Sequence, residues 1–142
     1  MLIDSNVLIY AINTRSPKHG LAKEFLVENS RNLHVAHQNI LETIRVLTHT
    51  KFAFPMKIKN AIEAIEGILR ACTVISPDYR THQIALRLIA KYKLSSNHVF
   101  DAYLVATALS NSIDTIATDN IRDFKKFTEI KVINPFLANV TL

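Results

Sequence analysis

Apolar positions along the 142-residue chain alternate between short runs that suit strands and longer stretches at helical spacing. Residues 1–3 form a first short apolar run, and residues 7–12 follow it. Ser16-Pro17 predicts a helix start, because proline suits a first helical turn. The amphipathic stretch behind it runs to about Asn29. Residues 33–36 read as a second strand. Ile40, Leu41, Ile44 and Leu47 place a helix within residues 39–50. Pro55 makes residues 52–56 a connection. Ile58, Ile62, Ile65 and Leu69 mark the next helix. Residues 73–75, stopped by Pro77, are a third strand. Ile84, Leu88 and Ile89 lie on a helix reaching about Lys93. Ser95, Ser96 and Asn97 are cap residues before a helix over residues 98–110. Residues 115–118 and 131–133 complete the strands.

Strands that alternate with helices imply an α/β fold, a mostly parallel sheet covered on both faces. No repeat, linker or low-complexity tract divides the chain, so a single domain over residues 1–142 is expected. Hydrophobic residues make up 49%, enough for a substantial core. The longest mostly apolar run, residues 102–109, is far short of a membrane span. The first residues carry no basic, signal-like stretch, and the lone Cys72 precludes an internal disulfide. These features point to a reducing, cytoplasmic setting and no membrane partner.

Composition also removes several chemistries. The two glycines, Gly20 and Gly67, do not end a strand. A P-loop, a dinucleotide-binding fingerprint and a glycine-flanked serine elbow all need more. His34 and His37 are joined by no cysteine pair or HExxH run, so zinc has little support.

The acids are more informative. In parallel sheets, sites form outside the carboxyl ends of the strands. Asp4 follows the first apolar run, and Asp119 follows residues 115–118. Glu42, Asp101 and Asp123 fall near the starts of helices. Each has a local explanation. Asp4 suits an N-cap, and Asn39 with Glu42 suits a capping box. Asp101 sits where the helix dipole favours a carboxylate, and Asp119 or Asp123 could cap a short helical turn. Val105 and Ala108, however, place Asp101 on an apolar face, where a carboxylate needs a partner or a cation. All five positions converge on one edge of a parallel sheet. Carboxylates gathered there repel one another unless a cation intervenes. Hard oxygen ligands suit Mg²⁺ or Mn²⁺, and phosphodiester hydrolysis is the natural reaction class. The net charge of +5 agrees: gathering those five acids leaves seven others against 17 Lys and Arg elsewhere, a surface suited to a polyanion.

At this point the chain resembles a known family. Asp4-Ser5-Asn6, the lone Glu42 in its helix, Asp101 in a Phe-Asp-Ala helix start, and Ala117-Thr118-Asp119-Asn120-Ile121-Arg122-Asp123-Phe124 resemble a PIN domain. Order, spacing and length are most similar to VapC-like toxins of bacterial and archaeal toxin–antitoxin pairs. The resemblance implies a five-stranded parallel sheet between helices and an Mg²⁺- or Mn²⁺-dependent endoribonuclease. It implies a homodimer restrained by a small antitoxin. By position, Asp4, Glu42 and Asp101 would be core acids, Asn6 would orient water or a ligand, and Thr118 would line the pocket. The family often places its last acid two residues after the threonine, where this chain has Asn120 in a supporting role. The fourth acid is then Asp119 or Asp123. The expected catalytic set is Asp4, Glu42, Asp101 and Asp119; the expected metal set is Asp4, Asp101, Asp119 and Asp123.

Other readings remain open on the residues alone. A PIN nuclease in RNA processing needs no antitoxin, and a silent PIN-like scaffold would bind RNA or protein without turnover. A phosphoacceptor receiver would use Asp78, but lacks the acidic pair after the first strand and the late lysine. Arg80, Arg87 and Lys91 share a helix face, and Arg122, Lys125 and Lys126 cluster; most such residues solvate helices. The apolar connection at Phe52, Phe54, Pro55 and Met56 suits core packing, with part of it a candidate interface.

Overall fold

A computed structural model describes residues 1–137 of the chain; the last five positions of the expected domain, 138–142, lie outside the described residues. Five short strands form one all-parallel sheet: β1 (Leu2–Ile3), β2 (His34–Ala36), β3 (Thr73–Ile75), β4 (Thr115–Ala117) and β5 (Lys131–Ile133). Their order is β3-β2-β1-β4-β5. The helices between them are α1 (Ser5–Ile12), α2 (His19–Glu28), α3 (His37–Leu47), α4 (Ile58–Leu69), α5 (Thr81–Tyr92), α6 (His98–Ser110) and α7 (Ile121–Phe124). No helix among the described residues is long and apolar enough to cross a membrane.

The inner strands are short and mostly apolar because helices cover both faces of the sheet there, while the edge strands β3 and β5 stay partly exposed. Successive side chains point to opposite faces. Leu2, Ala36, Ile75 and Ile116 join one buried cluster with α5 and α6. Ile3, Val35 and Ala117 join the other with α1 and α4 residues Val7, Leu8 and Ile65. Helix α6 lies deepest: Ala102, Leu104, Val105, Ala106 and Ala108 are all at most 2% exposed. Its sequence shows little amphipathic contrast for that reason.

Four local expectations need correction. Helix α3 begins at His37, so Asn39 is its third residue and not its cap. The Asn39 side chain instead turns back to accept from Ala36 N at 3.3 Å. That removes the capping-box explanation for Glu42. Helix α2 begins at His19, because Ser16 and Pro17 form a turn in which Ser16 O accepts from His19 N. Asn97 sits at the α6 cap position without a side-chain cap bond. The carbonyls of Ser95, Ser96 and Asn97 already accept from the first three α6 N–H groups, and Ser96 takes a left-handed φ of 53° to allow it. The 52–56 connection also stays outside the buried clusters; Phe54 is 50% exposed beneath the Arg15 guanidinium, 3.7 Å from its ring centroid.

Chain order reverses between β1 and β4. The chain runs outward through β2 and β3, then restarts on the other side of β1. Such a switch point leaves a crevice at the carboxyl ends of the two central strands.

Candidate active site

Asp4 and Thr118 are the residues that leave the two central strands. The register pairs Ile3 with Ala117, so the next residues emerge side by side. Asp4 N donates to Ala117 O at 3.0 Å, fixing the junction. Thr118 Oγ1 then donates to Asp4 Oδ2 at 2.7 Å. Asn6 Nδ2 donates to the same carboxylate oxygen at 3.2 Å and to Thr118 Oγ1 at 3.0 Å. Asp4 Oδ1 accepts from Ser5 N at 2.8 Å and from Asn39 Nδ2 at 3.4 Å. Asp4 therefore does cap α1, as its position suggested, yet that bond is one of several.

Every one of these contacts is a donor, and a charged carboxylate is the acceptor-only group that matches them. Asp4 is only 6% exposed. Burial raises its pKa above the ordinary value, the Thr118 and Ser5 hydrogen bonds oppose that, and the Glu42 charge adds to it. Glu42 on α3 thus faces the same junction. It also lines a cleft of about 500 Å³ with Gln38, Leu41, Arg45, Asn97 and Phe100, between α3 and the start of α6. Gln38 Nε2 bridges the two helices by donating to Phe100 O at 3.1 Å.

Asp101 projects from the first turn of α6 and is half-buried. Burial raises its pKa; the His98 hydrogen bond pulls it down, Asp123 pushes it up, and His98 and Lys126 charges pull it down again. Asp123 reaches in from α7, held by Asn120 Nδ2, which donates to its Oδ2 at 2.7 Å. His98 Nδ1 lies 3.1 Å from Asp101 Oδ2. One ligand atom each from His98, Asp101 and Asp123 can be chosen within 4.8 Å of one another. Among the described residues this is the one such group of three or more His, Cys, Asp or Glu.

Asp119 is placed differently. Its backbone N donates to Asn6 Oδ1 at 3.1 Å, but its carboxylate turns away. It forms an ion pair with Lys18 and accepts from Tyr10 OH at 3.2 Å. Lys18 Nζ also sits 5.2 Å from the Tyr10 and Phe136 ring centroids. Asn120 supports from both sides: its N donates to Thr118 Oγ1 at 3.0 Å, while its side chain steadies Asp123.

The structure therefore groups Asp4 with Glu42, Asn6 and Thr118, and Asp101 with Asp123 and Asn120. Sequence reasoning missed three contributors. His98 stands three residues before Asp101, the spacing that puts two side chains on one helix face, so it was visible in principle. Asn39, fully buried, was read as a cap. Lys18 lies 101 residues from Asp119, and no local spacing signals that pair.

The donor set suits a divalent cation. Oxygen donors predominate, Asp101 and Asp123 repel each other, and burial and the Glu42 charge push the Asp4 carboxyl above its ordinary pKa, a pressure that a cation would relieve. Two acids on the α5 side are neutralised by protein partners. Asp78, the residue a receiver domain would phosphorylate, accepts from Arg80 Nε at 3.1 Å and Nη2 at 2.8 Å. Lys91 is paired with Glu129 at 2.7 Å. Arg80 and Lys91 are thus both committed to carboxylates.

Comparison with known proteins agrees with this geometry. The PIN domain family model matches residues 1–130. Ribonuclease VapC48 of Mycobacterium tuberculosis is 31% identical over 145 residues, spanning 94% of this chain and 95% of the relative. Two solved structures share the fold. VapBC2 from Rickettsia felis, bound to a DNA fragment from its promoter, superposes with a TM-score of 0.72 at 17% identity, covering 94% of this chain and 96% of the other. A toxin–antitoxin complex from Klebsiella pneumoniae gives a TM-score of 0.70 at 21% identity, covering 95% and 97%. With the family match spanning nearly the whole chain on a sheet of the same parallel kind, the protein belongs to the PIN domain family.

Proposed function

We propose that this protein is a metal-dependent endoribonuclease, the toxin of a toxin–antitoxin pair, acting as one domain over residues 1–142 in the cytoplasm. The observation that carries the reading is a carboxylate edge with no lysine or arginine ion pair among the described residues: Asp4 near Glu42, and Asp101 near Asp123, in a chain 31% identical to a ribonuclease. Asp101 and Asp123 would hold Mg²⁺ or Mn²⁺, with Asp4 and Glu42 completing the charge around it. The cation supplies charge neutralisation at the scissile phosphodiester and a lowered pKa for water.

The chain's own residues prepare that chemistry. Thr118, Asn6, Ser5 and Asn39 hold the Asp4 carboxylate in one orientation before substrate arrives. Such preorganisation lowers the reorganisation needed during reaction. Glu42 is placed to accept a proton at the mouth of the cleft. Asn120 holds Asp123 toward Asp101. Of the two candidates for the fourth acid, Asp123 is favoured, because the Asp119 charge is already met by Lys18. Arg122 on α7, with Lys125 and Lys126 just after it, would supply positive charge for RNA phosphates. A small antitoxin and a second copy of the chain are the proposed protein partners.

The test is cleavage of mixed structured RNAs with Mg²⁺ or Mn²⁺, with EDTA, and with Asp4→Asn and Asp101→Asn. The reading requires cleavage that needs the metal and both aspartates. RNA binding without turnover in any metal would instead make the chain a silent scaffold. Cleavage that survives EDTA and both substitutions would overturn the site.

A further inference from the structure

The carboxylates leave one member of the cluster unexplained. His98 is the first residue of α6, and its ring reaches Asp101, three residues on. It is exposed, so burial does not account for its orientation. The hydrogen bond alone is a possible structural role, since a histidine so placed can steady an aspartate. Two features go further. The nitrogen and the Asp101 oxygen are 3.1 Å apart, close enough to be adjacent ligands of one ion in the tautomer that carries the imidazole proton on Nε2. Asp123, from a different helix, also offers an oxygen within 4.8 Å of both. A nitrogen and two oxygens from two elements make a mixed donor set.

We propose that His98 is a direct ligand of the divalent cation, biasing the site toward a transition-metal ion such as Mn²⁺ over Mg²⁺. This rests on the metal-dependent reading above. Mg²⁺ dehydrates reluctantly and takes oxygen donors. First-row transition ions accept imidazole nitrogen, with affinity set by donor softness and geometry. An all-carboxylate site discriminates little between Mg²⁺ and Mn²⁺; an imidazole in the set raises affinity for Mn²⁺ selectively. The histidine lies at the solvent side of the cluster, so its replacement leaves the buried core untouched.

The test is calorimetric titration of the full chain with Mn²⁺ and, separately, Mg²⁺, using wild type, His98→Ala and His98→Gln. Pulsed EPR of the Mn²⁺-loaded proteins reads nitrogen coupling directly. His98→Gln keeps a donor for Asp101 but removes the imidazole. The expected result is about a tenfold loss of Mn²⁺ affinity in both variants, a change in Mg²⁺ affinity under about threefold, and a nitrogen coupling present only in wild type. Equal losses for the two ions, or full recovery in His98→Gln, would reduce His98 to a positioning residue and overturn the proposal. If wild type bound neither ion, the metal-dependent reading itself would fail. If it bound both with no dependence on His98, only this inference would.

Discussion

Two groups of carboxylates in this chain behave in opposite ways. At the carboxyl edge of the sheet, Asp4 and Asp101 are pushed above their ordinary pKa, chiefly by burial and with further upward pressure from neighbouring acids. On the α5 side, Asp78 is held below its ordinary value by Arg80 hydrogen bonds. Glu129 is also lowered: partial burial pushes it up, but Lys91 and Tyr92 outweigh that. Both groups contain the same functional group on the same scaffold. One is paired with Arg80 and Lys91; the other has no lysine or arginine pair among the described residues, and the proposed cation would supply its counter-charge. Charge left unpaired in a partly buried place costs stability, and it is kept where it serves chemistry.

The sharpest way to break this contrast is activity. Asp4→Asn and Asp101→Asn are each expected to lower RNA cleavage about a thousandfold, equivalent to several kcal/mol of transition-state stabilisation, with the fold retained by circular dichroism. Near-wild-type turnover in either variant would dissolve the distinction between the groups.

A finer comparison sets Asp123 against Asp119, four residues apart in sequence but turned to different partners. Asp123→Asn is expected to lower cleavage on the order of a hundredfold, and Asp119→Asn less than about tenfold, in the same assay. The reverse ranking would move the fourth acid to the Lys18 side.

Stability should carry the contrast in its pH dependence. Asp4 and Asp101 have raised pKa values, so the metal-free folded chain binds more protons than the unfolded chain just above the ordinary carboxylate range. Their contribution to stability therefore falls as pH rises through the raised values. Asp78 and Glu129 act oppositely: their contribution is present above the unfolded value and is lost as pH falls through the lowered one. Urea unfolding of the metal-free protein between about pH 4 and pH 7 should show a flatter profile for Asp101→Asn than for wild type on the first account. An unchanged profile would mean that Asp101 titrates normally.

The smallest effect is expected on the paired side. Lys91 is 56% exposed in its pair with Glu129, so solvent screens most of the attraction. Glu129→Gln should cost less than about 1 kcal/mol in denaturant unfolding and leave cleavage unchanged.

Much of the fold was legible because the inner strands are covered on both faces. Residues 73–75 and 131–133 stood out as short apolar runs, and α6 matched its expected limits. The α3 start was misread because its N-cap is Ala36, which carries no capping side chain, while the buried Asn39 imitates a cap. The candidate site was legible at the ends of the two central strands, since the topology carries Asp4 and Thr118 to one crevice. What local pattern did not reveal was direction. Asp119 and Asp123 flank the same turn, and the choice between them depends on Lys18 and Asp101, contacts made only when distant helices pack.

The most direct measurement is Mn²⁺ binding by calorimetry to wild type, Asp101→Asn and Asp119→Asn. The account predicts binding by wild type, its loss in Asp101→Asn, and its retention within about threefold in Asp119→Asn, whose carboxylate is already paired. Loss in Asp119→Asn with retention in Asp101→Asn would contradict the division between neutralised and recruiting carboxylates.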